Sequence, residues 1–356
     1  MEFIKANGYP IYFGEDEYQT LNKFIAENNY SNIFILTDTH TNDYCLPKFL
    51  PFIATEKAIE IIEIEPGESE KNINTCVEIW SILTELGGDR KSLLINVGGG
   101  VVTDIGGFVA STFKRGIDFI HIPTTLLAMV DASIGGKNGV DLGNLKNQIG
   151  VINVPKMIII DTFYLKTLPE NEFRSGVAEM MKHGLIHNYN YWTHFSKLGK
   201  RPQFDYLEQL IYRSIELKNE IVMQDPTENG IRKALNFGHT LGHAIESYFL
   251  ENESKKTLLH GEAIAAGMIL ESYISWQKNL LSEEEYLQIK NSINAVFDPI
   301  AFEENDIQPI LDLLIHDKKN EHGKIQFALL NGIGNIKINQ EAENELIIKS
   351  FADYKS

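Results

Sequence analysis

The chain has 356 residues, is 43% hydrophobic and carries a formal net charge of −17 at pH 7. It can bury a large core and divide into two domains, while its acidity argues against nucleic acid as the main partner, because neutralising phosphates needs a basic surface. Cys45 and Cys76 without a Cys-x-x-Cys argue against a disulfide framework and a thiolate zinc site, and the absence of a signal pattern or an 18-residue apolar run predicts a cytoplasmic protein with no membrane partner.

In chain order, residues 17–27 read as an amphipathic helix and residues 32–37 as a buried parallel strand with Asp38 at its carboxyl end. Residues 59–65 and 92–97 repeat the apolar run, with a helix over residues 70–86 between them. Alternation of strand and helix implies an open α/β sheet, with ligands beyond the strand ends. The third strand runs into Gly98-Gly99-Gly100-Val101-Val102-Thr103-Asp104. Consecutive glycines let backbone N–H groups approach a phosphate, and the following helix offers its positive end. The spacing is not Gly-x-Gly-x-x-Gly, however, and glycine runs also make plain tight turns. Arg115, a strand over residues 119–123, Thr124-Thr125, Asp131, Gly135-Gly136-Lys137 and Lys146-Asn147 follow. Arg115, Lys137 and Lys146 are expected in Gly-rich loops, either converging on an anionic ligand or solvated at the surface.

After a last strand at residues 157–161 the pattern turns helical, and Pro169 followed by acids marks a helix start. That helix carries Glu179 beside apolar neighbours, so the carboxylate needs a partner: Lys182 at i+3, or a metal ion. Helix continues over residues 206–222, with Lys218 inside. Arg232, Asn236, His239 and His243 then follow at steps of four, three and four, which predicts one polar helical stripe. His239 and His243 on one face, with His260 opening the next helix, suggest a divalent metal; the alternative is buried histidines satisfied by backbone. Thr240 stands where a zinc protease has its glutamate, which excludes that class. Residues 324–330 and 335–338 read as a hairpin. A boundary near residues 165–170 gives a 1–167 α/β domain and a 168–356 helical domain.

Gly98-Gly-Gly-Val-Val-Thr-Asp104, Pro123-Thr-Thr-Leu-Leu127, Asp131-x-x-x-Gly-Gly-Lys137, Lys146-Asn147, Gly176-x-Ala-Glu179-x-x-Lys182, Arg232-x-x-Leu-Asn236-x-Gly-His239 and His260-Gly-Glu, in this order, resemble the 3-dehydroquinate synthase family. The resemblance implies an α/β N-terminal Rossmann-like domain, a mainly α-helical C-terminal domain, and an active site between them. It implies NAD and a divalent metal (zinc or cobalt) as cofactors, with a phosphorylated seven-carbon sugar acid as substrate. Transient oxidation, phosphate elimination, re-reduction and aldol closure would yield 3-dehydroquinate, a step of the shikimate pathway. A homodimer is the expected assembly.

By the same resemblance, Glu179, His239 and His260 hold the metal. Asp38, Glu68, Lys71, Gly99, Gly100, Val101, Asp104, Thr124, Thr125, Leu127, Lys137, Lys146 and Thr167 surround NAD. Arg115, Lys137, Asn147, Lys182, Lys218, Arg232, Asn236, His243 and Lys318 meet the substrate, and Lys319 is the alternative to Lys318. Catalysis falls to Asp131, Lys137, Lys182, Lys218, Arg232, Asn236 and His243, with His243 as proton relay and the substrate's own phosphate or Asp131 as candidate for the C–H proton. Two departures from the family pattern are His40 and the longer run over residues 247–258, expected to lengthen a loop. Another sugar phosphate cyclase, a metal-dependent polyol dehydrogenase and an inactive binding protein are the competing readings.

Overall fold

Apolar runs too continuous to face water on either side form the centre of the first unit. The computed structural model describes residues 3–143, 145–196, 199, 206–314 and 325–355, in two units, Met1–Pro169 and Glu170–Ser356. The first unit contains strands β1 (Ile4–Lys5), β2 (Pro10–Phe13), β3 (Ile33–Asp38), β4 (Ile59–Ile64), β5 (Leu93–Gly98), β6 (Asp118–Pro123), β7 (Lys137–Leu142), β8 (Leu145–Ile152) and β9 (Ile158–Ile160). Its helices are α1 (Tyr18–Asn28), α2 (Thr39–Tyr44), α3 (Leu46–Phe49), α4 (Ile73–Glu85) and α5 (Gly100–Thr112). Seven strands form one sheet in the order β1-β2-β9-β6-β5-β3-β4, parallel except for β1 against β2.

Strand β3 is the pivot: Ile35 stands opposite Ile61 of β4 on one side and Ile95 of β5 on the other. The strand order therefore reverses between β3 and β5. Ligands of open α/β sheets bind at such a switch point, beyond the carboxyl ends of the strands. Those ends here are Asp38 and Gly98. Phe34, Leu36 and Leu94 of the sheet pack with Cys76, Ile79 and Leu83 of α4 and Val102, Ile105 and Val109 of α5. Each fully buried side chain of this size contributes roughly 1.5–3 kcal/mol, so the core holds both strand ends in place.

Two strand pairs differ from expectation. The short β1–β2 pair was not among the expected strands, since its strands of two and four residues are too brief to show a pattern. Lys137 and Lys146, expected in loops, lie on the antiparallel β7–β8 hairpin. Gly139 faces Gly150 across that hairpin, and glycines there hide the alternation by which a half-buried strand is read.

The second unit contains α6 (Glu170–His187), α7 (Tyr189–Trp192), α8 (Leu207–Gln224), α9 (His239–Glu251), α10 (His260–Gln277), α11 (Glu283–Val296), α12 (Glu304–Leu314) and α13 (Asn344–Tyr354), with the antiparallel pair β10 (Phe327–Leu330) and β11 (Ile336–Gln340). Helix α6 starts directly after Pro169, as the acids there predict. Helix α10 is apolar almost all round, so it sits in the middle, packed against α6, α9, α11 and α13. Among the described residues, no helix is long and apolar enough to cross a membrane.

Candidate functional site

Three helices of the second unit converge on Glu179. Its side chain is fully buried on α6, and its Oε1 lies 3.4 Å from His239 Nε2 and 3.6 Å from His260 Nε2. Close approach makes this possible: a Cβ on Gly261 would overlap the Ser175 backbone of α6, so only glycine lets α10 bring His260 this near. Glu262 accepts the Leu259 N–H at 2.8 Å and fixes the start of α10 at His260. Gly238, at φ +77°, turns the chain into α9 so that His239 is its first residue. The buried carboxylate of Glu271 accepts the N–H groups of Gly238 at 2.7 Å and Leu241 at 3.1 Å, holding that turn.

Both imidazoles are oriented from behind. His239 Nδ1 lies 3.0 Å from the Phe237 carbonyl and His260 Nδ1 lies 3.2 Å from Glu246 Oε2. A carbonyl or carboxylate only accepts, so each Nδ1 is the donor and each Nε2 faces Glu179. Burial alone would lower the His260 pKa, but the Glu246 and Glu179 carboxylates raise it to about 10. A cation among the three groups would replace that proton. One carboxylate oxygen and two imidazole Nε2 atoms are the donor chemistry of a zinc or cobalt centre with open positions, so these residues fit a metal. The Glu179 Oε2 atom forms a short ion pair with Lys182. Of the two partners weighed for Glu179 from the sequence, Lys182 sits at one oxygen, and the other oxygen faces the two imidazoles that could hold a metal with it.

His243 stands beside these ligands, its ring 5.1 Å from that of His239 and 5.9 Å from that of His260. The single stripe expected from Arg232 to His243 is corrected. Arg232 and Asn236 lie in a separate 3-10 turn, Ile231–Asn236, and the left-handed Gly238 breaks the helix before His239. A one-residue bend is invisible to a count of steps of three and four. Buried Arg232 donates to the Pro226 carbonyl at 2.6 Å, and its N–H reaches Asp225 Oδ2 at 3.0 Å. Asn236 donates to Glu228 Oε1 at 2.8 Å. Lys218 is buried on α8. Lys318 and its alternative Lys319 lie outside the described residues. The 247–258 run is partly helical, since α9 continues to Glu251. The rest is clamped by Lys255, which donates to Glu303 and Asp306 at 2.9 Å each.

In the first unit, Asp38 caps α2 by accepting the Thr41 N–H at 2.7 Å. Exposed His40 follows it on the same short helix. Gly99 opens α5, with Gly100 and Val101 in its first turn. Lys71 Nζ lies 2.6 Å from Asp104, and Lys146 Nζ lies 2.7 Å from Glu68 and 3.5 Å from Asp141. Four residues expected around NAD therefore form one ion cluster. Burial would lower the Lys71 pKa, but Asp104, Glu68 and Asp141 hold it above the ordinary lysine value. Asn147, at φ +51°, donates its N–H to Asp141 Oδ1 at 2.6 Å. Thr124 is buried after β6, and Thr125 Oγ1 accepts the Ala128 N–H at 3.1 Å. Leu127 precedes a π-helical turn, Ala128–Ala132, which holds Asp131. Such turns are frequent at functional sites. Lys137 opens β7. Arg115 and Thr167 are exposed and stand outside the ion cluster.

Sequence reasoning missed Asp141, Glu228, Glu246 and Glu271. Glu246 had a signal, being three residues after His243 on the same helix. Glu271 had a fainter one, lying about three turns beyond His260 on α10.

The architecture is shared with known proteins. A solved structure of 2-deoxy-scyllo-inosose synthase complexed with carbaglucose-6-phosphate, NAD+ and Co2+ matches with a TM-score of 0.86 and 25% identity, over 99% of both chains. That likeness defines the class, the two-unit fold of the sugar phosphate cyclases. Family profiles match residues 61–175 as 3-dehydroquinate synthase N-terminal and residues 176–320 as 3-dehydroquinate synthase C-terminal. The 3-dehydroquinate synthase of Parabacteroides distasonis is 41% identical over 94% of each chain, and that of Prochlorococcus marinus (strain MIT 9312) is 39% identical over 90% of this chain and 89% of its own. The chain belongs to the 3-dehydroquinate synthase family.

Proposed function

We propose that the chain converts 3-deoxy-D-arabino-heptulosonate 7-phosphate to 3-dehydroquinate and phosphate, as a phosphate-eliminating lyase. The observation that carries this reading is the facing of one buried carboxylate oxygen by two imidazole Nε2 atoms whose opposite nitrogens are tied to acceptors. The family supports the substrate, with relatives of that name covering nearly the whole chain.

The first unit is the NAD-binding domain. Gly99, Gly100 and Val101 at the start of α5 would hold the cofactor phosphates through a helix N-terminus, and Asp38 lies at the end of the neighbouring strand β3. Glu68, Lys71, Asp104, Thr124, Thr125, Leu127, Lys137, Lys146 and Thr167 complete its surroundings. The second unit holds zinc or cobalt through Glu179, His239 and His260. When bound, NAD supplies a hydride acceptor that is restored within each turnover, and the metal supplies a Lewis acid for substrate oxygens.

The protein's own groups do the rest. The candidates for binding the substrate's anionic and hydroxyl groups are Lys182, Lys218, Arg232, Asn236 and Lys318 (or Lys319) in the second unit and Arg115, Asp131, Lys137 and Asn147 in the first. A guanidinium aimed by its Pro226 contact favours a carboxylate or phosphate in one orientation. His243 takes the hydroxyl proton, because its ring lies beside the ligand set without belonging to it. The C–H proton goes to the departing phosphate. The chain works in the cytoplasm as a homodimer, and light scattering that returns the mass of one chain would contradict that assembly.

The test is direct: supply the sugar acid phosphate, NAD and zinc, then measure phosphate, dehydroquinate and NADH. Equal release of phosphate and dehydroquinate without NADH build-up is expected. Steady NADH accumulation would make the chain a polyol dehydrogenase. Turnover of glucose 6-phosphate or sedoheptulose 7-phosphate alone would make it another cyclase.

A further inference from the structure

The second unit offers two overlapping sets of metal donors that share His260: Glu179 with His239, and His243 with Glu246. We propose that Glu246 is a positioning residue that never ligates the metal, and that its bond to His260 Nδ1 commits the shared ring to the Glu179–His239 set. This deepens the metal assignment above and rests on it.

A neutral imidazole has one lone pair and one N–H. Glu246, itself 6% exposed, is an acceptor 3.2 Å from His260 Nδ1, so in the neutral, metal-binding ring the N–H points to it and Nε2, the nitrogen that faces Glu179 Oε1, keeps its lone pair for the ion. An ion bound by His243, Glu246 and His260 Nδ1 would require the opposite tautomer and would break that bond. His239 is committed the same way, since the Phe237 carbonyl at 3.0 Å also accepts only. Both rings therefore present Nε2 to one carboxylate oxygen, and neither presents Nδ1 to an ion. A carboxylate behind a ligating histidine also makes the ring a stronger donor, and losing such a partner typically costs about 10- to 100-fold in metal affinity.

The test uses the full chain stripped of metal, with zinc affinity read by competition against a chromogenic chelator and the ligand set read from the visible absorption of the Co2+-loaded protein. Glu246→Gln keeps the shape, and it is expected to weaken zinc by about 10- to 100-fold. His243→Ala is expected to leave zinc affinity and the Co2+ bands unchanged, whereas His239→Ala changes both. The His243 and His239 variants report the ligand set even if the Glu246 variant folds poorly. Parent-like zinc affinity in Glu246→Gln, or altered Co2+ bands in His243→Ala, would overturn the proposal. A parent chain that binds no zinc would instead overturn the metal assignment beneath it.

Discussion

The two units treat buried charge in opposite ways. In the first, buried Lys71 and Lys146 meet Asp104, Glu68 and Asp141 at ion-pair distance, so the charges close on one another and tie α5 and the β7–β8 hairpin to the loop before α4. In the second, a fully buried carboxylate meets Lys182 at one oxygen and two oriented imidazoles at the other. The first arrangement is complete as a set of fixed charges and shapes a surface for a ligand. The second is a set of donors aimed at one point, where a cation is the natural partner.

Glu179→Gln should break the contrast most sharply. Lewis-acid assistance supplies several kcal/mol, so phosphate release should fall by about a thousandfold or more. A tenfold loss or less would place the metal elsewhere. In the first unit the corresponding cut is Asp104→Asn, which takes the nearest carboxylate from buried Lys71 and leaves Glu68 and Asp141 as partial compensation. An uncompensated buried charge costs about 3–5 kcal/mol, and with two acids still near Lys71 urea unfolding should show part of that, about 1–3 kcal/mol. A loss below about 1 kcal/mol, the ordinary worth of an exposed pair, would mean that the cluster is not a closed set.

Gly238→Ala probes the turn that aims His239. The left-handed backbone disfavours alanine, and its Cβ would lie 2.5 Å from Met268 Cγ, so a destabilisation of about 1–3 kcal/mol is expected, with weaker zinc binding. Unchanged zinc affinity would show that the turn is not needed for aim. Acid sensitivity should come from the first unit. Burial holds the His121 imidazole down to about 3. A folded pKa below the unfolded value stabilises above pH 6.5 and is lost as pH falls, at about 1.4 kcal/mol per unit. Unfolding midpoints of His121→Gln should accordingly fall less steeply than the parent's between pH 6.5 and pH 5; equal slopes would refute this. The smallest effect belongs to Glu68→Gln. Its side chain is 35% exposed, so solvent screening leaves about 0.5 kcal/mol, visible mainly as weaker NAD binding in a fluorescence titration. No change in NAD affinity would remove Glu68 from the nucleotide surface.

The same contrast explains what was legible in the sequence. Strands β3, β5 and β6 announced themselves because they are buried on both faces and largely apolar, and the edge strand β4 did so through its isoleucines, although Glu60 and Glu63 interrupt the run. Helices α4 and α6 did so through apolar spacing and a proline start. A histidine cluster was readable because His239 and His243 sit four apart on one helix and His260 opens the next, although that spacing pointed to His243, which lies beside the Glu179–His239–His260 group. Resemblance supplied the assignment of Glu179, for which the residues alone left two partners open. The β7–β8 hairpin stayed hidden because Gly139 and Gly150 interrupt its alternation. The bend at Gly238 stayed hidden because a single left-handed residue leaves a helical count nearly intact. Glu246 and Glu271 act through hydrogen bonds to residues 14 and 33 positions away, which their helical spacing from His243 and His260 only hints at.

The most direct measurement is X-ray absorption of the zinc-loaded protein combined with metal content per chain. One zinc per chain is predicted, with two imidazole nitrogens and a carboxylate oxygen from the protein, and none retained after either His239→Ala or His260→Ala. Zinc held undiminished by the His260→Ala variant, or a shell without imidazole, would contradict the account.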